Sequence, residues 1–575
     1  MSKNESSRSG TWINYIGLAL LIVSYLGAVY NTLSTKLERS GTDKKVIIIS
    51  HWQLEKGFRE AFDWVIAEYE KLHPDVKVIQ LPIYAQAYRQ FMNTQLIGGT
   101  APDIIEVGQG IDKRKGNTNA RFFYPLSPYL SDANPYNEGT DLEGTPWIET
   151  FKHGLEWNWD EKNLDYYTIG ITGVSSRLAY NKDLLKEITG SVAPPDNFTD
   201  FIELCRELKA YSDSTGKNIW PIASSRYQVN ALLGKLKSSM IYSFVVEHVD
   251  RNHDALEDVG TEVLLSWLEQ QYDFDDDELR VGHEISRDVL PYLEPGFMAK
   301  NRQDATFSFA QQKAVMISAA SWDMNTLRLQ AQEGGFELGV IEVPLPDEDH
   351  PVYGKYVDGR AAEAKEFNMP FGVCRFSKHP KVAIDFLKFY SAQKVAEEFC
   401  RRAGWLCAIK GAENVDFIDP FEPDYRGYPR PSSPYYAGTE TKFLYQQASW
   451  KYTAGDASFE EMIQRFRKGF YGTAMKDFNG HLHNFEGNLA PVAHNGSNLA
   501  LRLKFTEDKE TRDRLQYRLE NANESYADFW TSLQGNIYEM VNIARNMDNE
   551  RLKKVQETMH YRVFLEEFPH VAVTR

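Results

Sequence analysis

Between Val46 and Gly108 the chain alternates between short apolar runs and stretches of helical spacing, and this alternation constrains the fold most. Val46 to Ile49 is a β-branched run that reads as a buried strand. Phe62, Val65, Ile66, Tyr69 and Leu72 recur at helical spacing, and His73-Pro74 stops that helix. Val76 to Ile83 reads as a second strand and Tyr88 to Leu96 as a second helix. Gly98-Gly99-Thr100-Ala101-Pro102-Asp103 then turns the chain into a third strand, Ile104 to Val107. A β-α-β-α-β order is the signature of a parallel sheet with helices on its faces. Ligands of such sheets bind at the carboxyl ends of the strands. Those ends here are Ser50-His51-Trp52-Gln53 and Glu106 to Gly110.

At 575 residues the chain is too long for one ordinary core, so two or more lobes are expected. A net charge of −17 argues against nucleic acid as a partner, because phosphate binding needs a basic surface. Aromatics make up 13%, many beside Gly, Pro, Asn or Asp, which suits flat ligands such as sugars or bases. The four cysteines give no disulfide framework, and spacing leaves open whether Cys400 and Cys407 bridge. There is no CxxC pair, and His481-x-His483 lacks a third ligand, so neither a metal nor a cofactor is expected. Neither a P-loop nor a G-x-S-x-G elbow occurs. A glycosidase's carboxylate pair leaves no fixed signature and stays open on composition alone.

Both ends carry their own signals. Trp12 to Leu33 is uncharged and apolar, close to the roughly 20 residues that span a bilayer. Lys3 and Arg8 precede it, and Leu26-Gly27-Ala28 is a poor cleavage site. The reading is an uncleaved signal anchor, with residues 1–11 as a cytoplasmic tail, 12–33 as a transmembrane helix and 34–45 as a linker. The remainder would then face the periplasm. Near the carboxy terminus, Leu515, Leu519, Ala522, Tyr526, Phe529, Leu533, Ile537, Met540, Ala544 and Met547 step by threes and fours. That is an apolar seam on a long helix or helix pair, with Gly535 as a candidate break. Packing on the second lobe is the simpler reading; a surface for a partner is the alternative.

Several segments stand in a telling order: Ala67-Glu68-Tyr69-Glu70-Lys71-Leu72-His73-Pro74, Gly98 to Ile105, Tyr180-Asn181-Lys182-Asp183-Leu184-Leu185, Asn197-Phe198-Thr199-Asp200-Phe201 and Phe309 to Met316. Together they resemble the extracellular solute-binding proteins of family 1, which include maltose-binding protein and other carbohydrate receptors of ABC importers. Gln312 and Ala320 stand where that family usually has glycine. The resemblance implies a type II-like periplasmic binding fold of class α/β, with two lobes that each hold a mostly parallel sheet. It implies a hinge of crossing segments, placed near Gly170 to Ser176, Asn368 to Gly372 and Gly404 to Lys410. It also implies a carbohydrate ligand held between the lobes, delivery to ABC importer permease subunits, and no chemistry on the ligand. The corresponding layout is lobe 1 over 46–175 and 365–410, lobe 2 over 176–364 and 411–475, and a helical extension over 476–575.

Sugars stack their C–H faces on aromatic rings and give their hydroxyls to planar amides and carboxylates. Trp322, after a strand at a position where the family commonly stacks a Trp, leads the binding candidates; covering a core edge is its alternative role. Trp52 and Gln53 end the first strand, and Glu106 and Gln109 end the third. Asp323 and Asn325 follow Trp322, one of them a candidate helix cap. Ser175 and Arg177 lie by the first crossing, with Arg177 able to pair a carboxylate ligand or Asp183. Tyr356, Asp358 and Arg360 sit before the second crossing, and Trp405, Tyr435 and Tyr436 are secondary candidates. Three functions follow as expectations: a carbohydrate receptor, a glycoside hydrolase on a similar scaffold, or a sensor whose exposed carboxy-terminal seam meets a membrane partner.

Overall fold

The computed structural model describes residues 44–54, 57–108, 117–160, 165–253, 260–363, 367–428 and 433–569. The expected transmembrane segment 12–33, residues 1–11 and Gln109 lie outside the described residues. Among the described residues no helix is long and apolar enough to cross a membrane. The strands are β1 (Lys45–His51), β2 (Val76–Pro82), β3 (Ile104–Glu106), β4 (Lys152–Leu155), β5 (Trp159–Asp160), β6 (Asp165–Tyr166), β7 (Thr172–Gly173), β8 (Ser176–Asn181), β9 (Trp220–Ala223), β10 (Ala314–Ala320), β11 (Leu338–Ile341), β12 (Phe367–Asn368) and β13 (Phe371–Val373). The helices that position the sites are α1 (Phe58–Leu72), α2 (Ala85–Gly98), α3 (Arg226–Lys237), α4 (Gly260–Leu268), α5 (Asp277–Val289), α6 (Arg302–Ala310), α7 (Thr439–Thr453), α8 (Phe459–Phe505) and α9 (Lys509–Asn546).

The first lobe is built on the sheet β13-β3-β1-β2, in which β1 pairs parallel with both β2 and β3. Asp103 locks this order. One carboxylate oxygen accepts the Ile48 amide at 2.9 Å and the other accepts Ser377 Oγ at 2.7 Å, tying β1 to the segment after β13. The core of this lobe runs from Ile47 through Phe62 and Trp147 to Phe371, Phe399 and Ile409.

The second lobe is built on the sheet β11-β8-β10-β9, and here the expectation of a mostly parallel sheet fails. Only β9 and β10 run parallel; β8 is antiparallel to both β10 and β11. All seven residues of β10 are buried, so its apolar run reports cover on both faces and carries no information about direction. The local punctuation holds. Asn181 caps its helix through Leu184 N at 2.9 Å, and Asn197 caps the next through Asp200 N at 2.9 Å.

Three extended segments join the lobes side by side. Phe367 and Asn368 of β12 pair with Gly173 and Thr172 of β7, and Thr172 also bridges to Cys407. Gly173 N donates to Leu406 O at 2.9 Å and Ala408 N to Ile171 O at 2.8 Å. All four cysteines are free and buried; the Cys400 and Cys407 thiols hydrogen-bond to each other without a bridge.

The carboxy-terminal helices share an aromatic core with α4 and the start of α5, and this core begins at Tyr435, ahead of the expected boundary at 476. Phe470 lies at its centre, 4.9 Å from Trp267 and 4.7 Å from Phe274 between ring centroids. Gly535 does not break α9, which runs unbroken from Lys509 to Asn546. The seam does not present a free surface. Leu515, Ala522, Phe529, Leu533, Ile537 and Met540 are buried, Leu519, Ala544 and Met547 are half-buried, Tyr526 is exposed, and α9 packs along α8. The pair also reaches beyond the second lobe. Leu499, Leu515 and Ala522 pack with Trp159 of β5, and Arg518 pairs with the buried Asp165 of β6 at 3.0 Å.

Candidate functional site

On the first lobe, the site is assembled where β1 and β3 end together. Glu106, fully buried, is spent on holding its neighbours. Its carboxylate accepts the Trp52 amide at 3.0 Å and Gln53 Nε2 at 2.5 Å. Tyr88 Oη donates towards Ser50 O at 3.1 Å and Glu106 O at 3.0 Å, fixing both strand ends from below. The Trp52 ring meets Tyr88 edge-on at 5.0 Å and lies over Gly108, where an added Cβ would sit 3.0 Å from its Cη2. Glycine at 108 thus leaves room for a half-buried indole at the lobe surface. Glu106 therefore acts as a positioning residue for Trp52 and Gln53.

On the second lobe, β9 and β10 run parallel, with Ala223 at the end of β9 opposite Ile317 of β10. Trp322 follows β10 and Tyr227 follows β9. Between them stands Arg302, the first residue of α6. Its guanidinium carbon is 5.7 Å from the Tyr227 ring centre and 5.8 Å from that of Trp322. Asp323 pairs with Arg302 and also accepts the Ala320 amide at 3.2 Å. Burial raises the Asp323 carboxyl above the usual carboxylate range, with Arg302 pulling the other way. The result is two aromatic faces, one exposed at 43% and one half-buried, around a paired guanidinium. Such a wall can stack a ring and donate to its hydroxyls. Tyr227 and Arg302 were not among the sequence candidates, since only the parallel pairing of β9 with β10 brings them to Trp322.

This wall adjoins the hinge. Ser321 N donates to Ser175 O at 3.0 Å and Ser321 Oγ to Gly173 O at 3.3 Å. Trp322 itself packs against the core of the first lobe. Asn325 crosses between lobes, its Nδ2 donating to Ala403 O at 3.1 Å over Gly57 and Gly404.

The remaining candidates do internal work. Ser175 Oγ donates to Phe421 O. Arg177, 1% exposed, pairs with Glu363 through both terminal nitrogens at 2.8 and 3.1 Å. It also donates to Pro420 O, Ser176 O and Glu422 O, so its five N–H groups are committed within the fold. Its carboxylate partner is thus Glu363 rather than Asp183, which accepts the Glu337 amide at 2.7 Å instead. Tyr356 packs on the second-lobe core under Lys355. Asp358 accepts the Ser243 amide at 3.1 Å, and Arg360 pairs with Glu342 and Asp424 at 3.0 and 3.3 Å. The structure brings Trp52, Gln53 and Glu106 together on one lobe and Trp322, Asp323 and Asn325 on the other. Tyr356, Asp358 and Arg360 take the partners given above, none of them a member of either group.

Comparison with known proteins agrees with this architecture. The chain is similar to the multiple sugar-binding protein of Streptococcus mutans, at 21% identity over 421 residues, covering 72% of this chain and 86% of that one. It is similar to the melibiose/raffinose/stachyose-binding protein MelE of Bacillus subtilis, at 23% identity over 212 residues, covering 36% and 42% of the two chains. In fold it is similar to the solute-binding protein RafE solved with raffinose, with a TM-score of 0.51 at 17% identity, covering 75% of this chain and 99% of that one. The family model described as bacterial extracellular solute-binding protein matches residues 55–397, more than half of the chain. With its two sheets joined by three crossings, the chain belongs to the bacterial extracellular solute-binding protein family.

Proposed function

We propose that the protein is an extracytoplasmic receptor that captures a carbohydrate, an oligosaccharide in preference to a single sugar, between its lobes and passes it to the permease of an ABC importer. The observation that carries this reading is the wall of Tyr227, Arg302, Trp322 and Asp323 beside the hinge. Trp52 and Gln53, held by Glu106, supply the opposing lobe. The names of the relatives supply the ligand class. Glu106 is closed off in hydrogen bonds and Asp323 is paired with Arg302, so the arrangement suits binding without turnover. The sensor alternative needs an exposed Leu515 to Met547 seam, and that seam is largely buried. In this reading the apolar segment 12–33 holds the receptor to the periplasmic face of the cytoplasmic membrane. The layout is lobe 1 over 46–175 and 365–410, lobe 2 over 176–364 and 411–475, and a helical extension over 476–575 packed on lobe 2.

Titration with raffinose and maltotriose, followed by heat and by recovery of intact sugar, tests this. The expected result is saturable binding, unaltered ligand, and at least a tenfold loss (about 1.4 kcal/mol) for Trp322→Ala. Released monosaccharide, or full affinity in Trp322→Ala, would sink the reading.

A further inference from the structure

We propose that a cavity between α3, α5 and α7 is a second ligand site, separate from the interlobe site, and that it takes a small acidic saccharide: a hydroxylated ring bearing a carboxylate or a phosphate. The cavity encloses about 520 Å³, within the range of roughly 300–1,000 Å³ that small-molecule sites occupy. One wall is formed by α3 and α5 of the family-matched region, the other by Ser433 to Tyr436 and α7, which lie beyond residue 397. The site therefore exists only where the carboxy-terminal helices meet the second lobe.

Charge points to the ligand. Lys237, part-buried on the last turn of α3, lines the cavity, and its ammonium has no carboxylate or hydrogen-bond partner among the described residues. Burial lowers its pKa to about 8. A part-buried cation without a counter-ion is costly, and an entering anion reduces that cost. The other ionisable groups on the walls do not neutralise it. Arg226 and Glu278 are exposed and of opposite sign. His283 is driven well below its ordinary pKa by burial and by the Lys237 charge, and its Nε2 meets Tyr445 Oη at 3.1 Å. The phenols of Tyr435, Tyr445 and Tyr452 are pushed above their ordinary range by burial, so they stay neutral.

Shape points to a sugar ring. Trp450 and Tyr436 supply aromatic faces along the wall, and Asn230 and Gln446 supply amides. Amides beside aromatic faces recognise hydroxyls on a ring, and a lone ammonium beside them selects an acidic one.

The full chain titrated with glucuronate, glucose 6-phosphate and glucose decides the matter, with tryptophan fluorescence and heat as readouts. At least one acidic sugar should bind ten times or more tightly than glucose, and which one does distinguishes carboxylate from phosphate. Lys237→Met and Trp450→Ala should each weaken that binding at least tenfold, while Trp322→Ala leaves it unchanged. Trp450 is 46% exposed, so its variant serves even if Lys237→Met does not fold. Neither acidic sugar outcompeting glucose, full affinity in Trp450→Ala, or a loss that follows Trp322→Ala would overturn the proposal.

Discussion

The hinge strands and the carboxy-terminal helical hairpin both connect the two lobes, in opposite ways. At the hinge the chain crosses in extended pieces of a few residues, with β7 and β12 pairing at two positions. In the hairpin, α8 alone runs 47 residues, about 70 Å at 1.5 Å per residue, and α9 lies along it. Extended crossings bend by changing a few backbone dihedrals, whereas a helix pair with a buried seam moves as a rod. The rod is also anchored unequally. At its base Phe466, Phe470, Trp267 and Phe274 form an aromatic core. At its tip the contacts are a small cluster around Trp159 and the Arg518–Asp165 pair. Lobe motion would therefore loosen the tip before the base.

The largest test removes the base. Phe470→Ala should cost about 3–5 kcal/mol, because it empties a site fully closed by aromatic rings. If the helices form their own unit, thermal unfolding followed by circular dichroism splits into two steps, while raffinose binding at low temperature survives. One shifted transition with binding lost would show that rod and lobes are a single cooperative structure.

Acid probes the first lobe through His51, and His283 on α5, also lowered by burial, adds a loss of the same sign. His51 is buried beside Phe58 and Phe62, and burial lowers its pKa to about 4 against an ordinary 6.5. The unfolded chain then binds more protons than the native one between those values. The contribution is thus whole above pH 6.5 and lost as pH falls towards 4, on the order of 3 kcal/mol in all. Urea midpoints should fall over that window in the wild type and fall less in His51→Leu.

Crowding the hinge comes next. A Cβ added at Gly170 would lie 2.8 Å from Phe367 Cβ and 2.9 Å from Asn368 O, between two crossings. Gly170→Ala should destabilise by about 1–3 kcal/mol and weaken carbohydrate binding, which titration of the variant measures. Unchanged affinity would mean the crossings do not set lobe geometry. The smallest effect belongs to the tip. Arg518→Ala should cost about 1 kcal/mol in stability, since the buried Asp165 it leaves keeps its hydrogen bonds from Ser127 and Tyr166. It should nonetheless speed amide exchange at Trp159 and Tyr166, and an unaltered exchange rate would show the tip to be held by its apolar cluster.

Much of the first lobe was legible because its signals are local. Hydrophobic spacing gave α1 and α2, and the apolar runs gave β1 to β3. The segments that pair as β7 and β12 were reached through resemblance rather than spacing. Half of the proposed site rests on the same kind of signal: Trp52, Gln53 and Glu106 sit at strand ends, and a strand end can be read from where an apolar run stops. Arg177 shows the limit. Its charge and its place by the crossing were visible, but its partner Glu363 lies 186 residues away, and no spacing rule reaches that far.

The sequence by itself determined where elements start and stop, because caps such as Asn181 and Asn197 act on amides three residues away. It also determined which faces are buried, because burial leaves a periodic apolar pattern. Only the tertiary structure decided the directions in the β8–β11 sheet, the meeting of Tyr227, Arg302 and Trp322, and the reach of the hairpin to Asp165. These depend on which distant surfaces pack together, and an apolar residue is equally apolar whichever neighbour covers it.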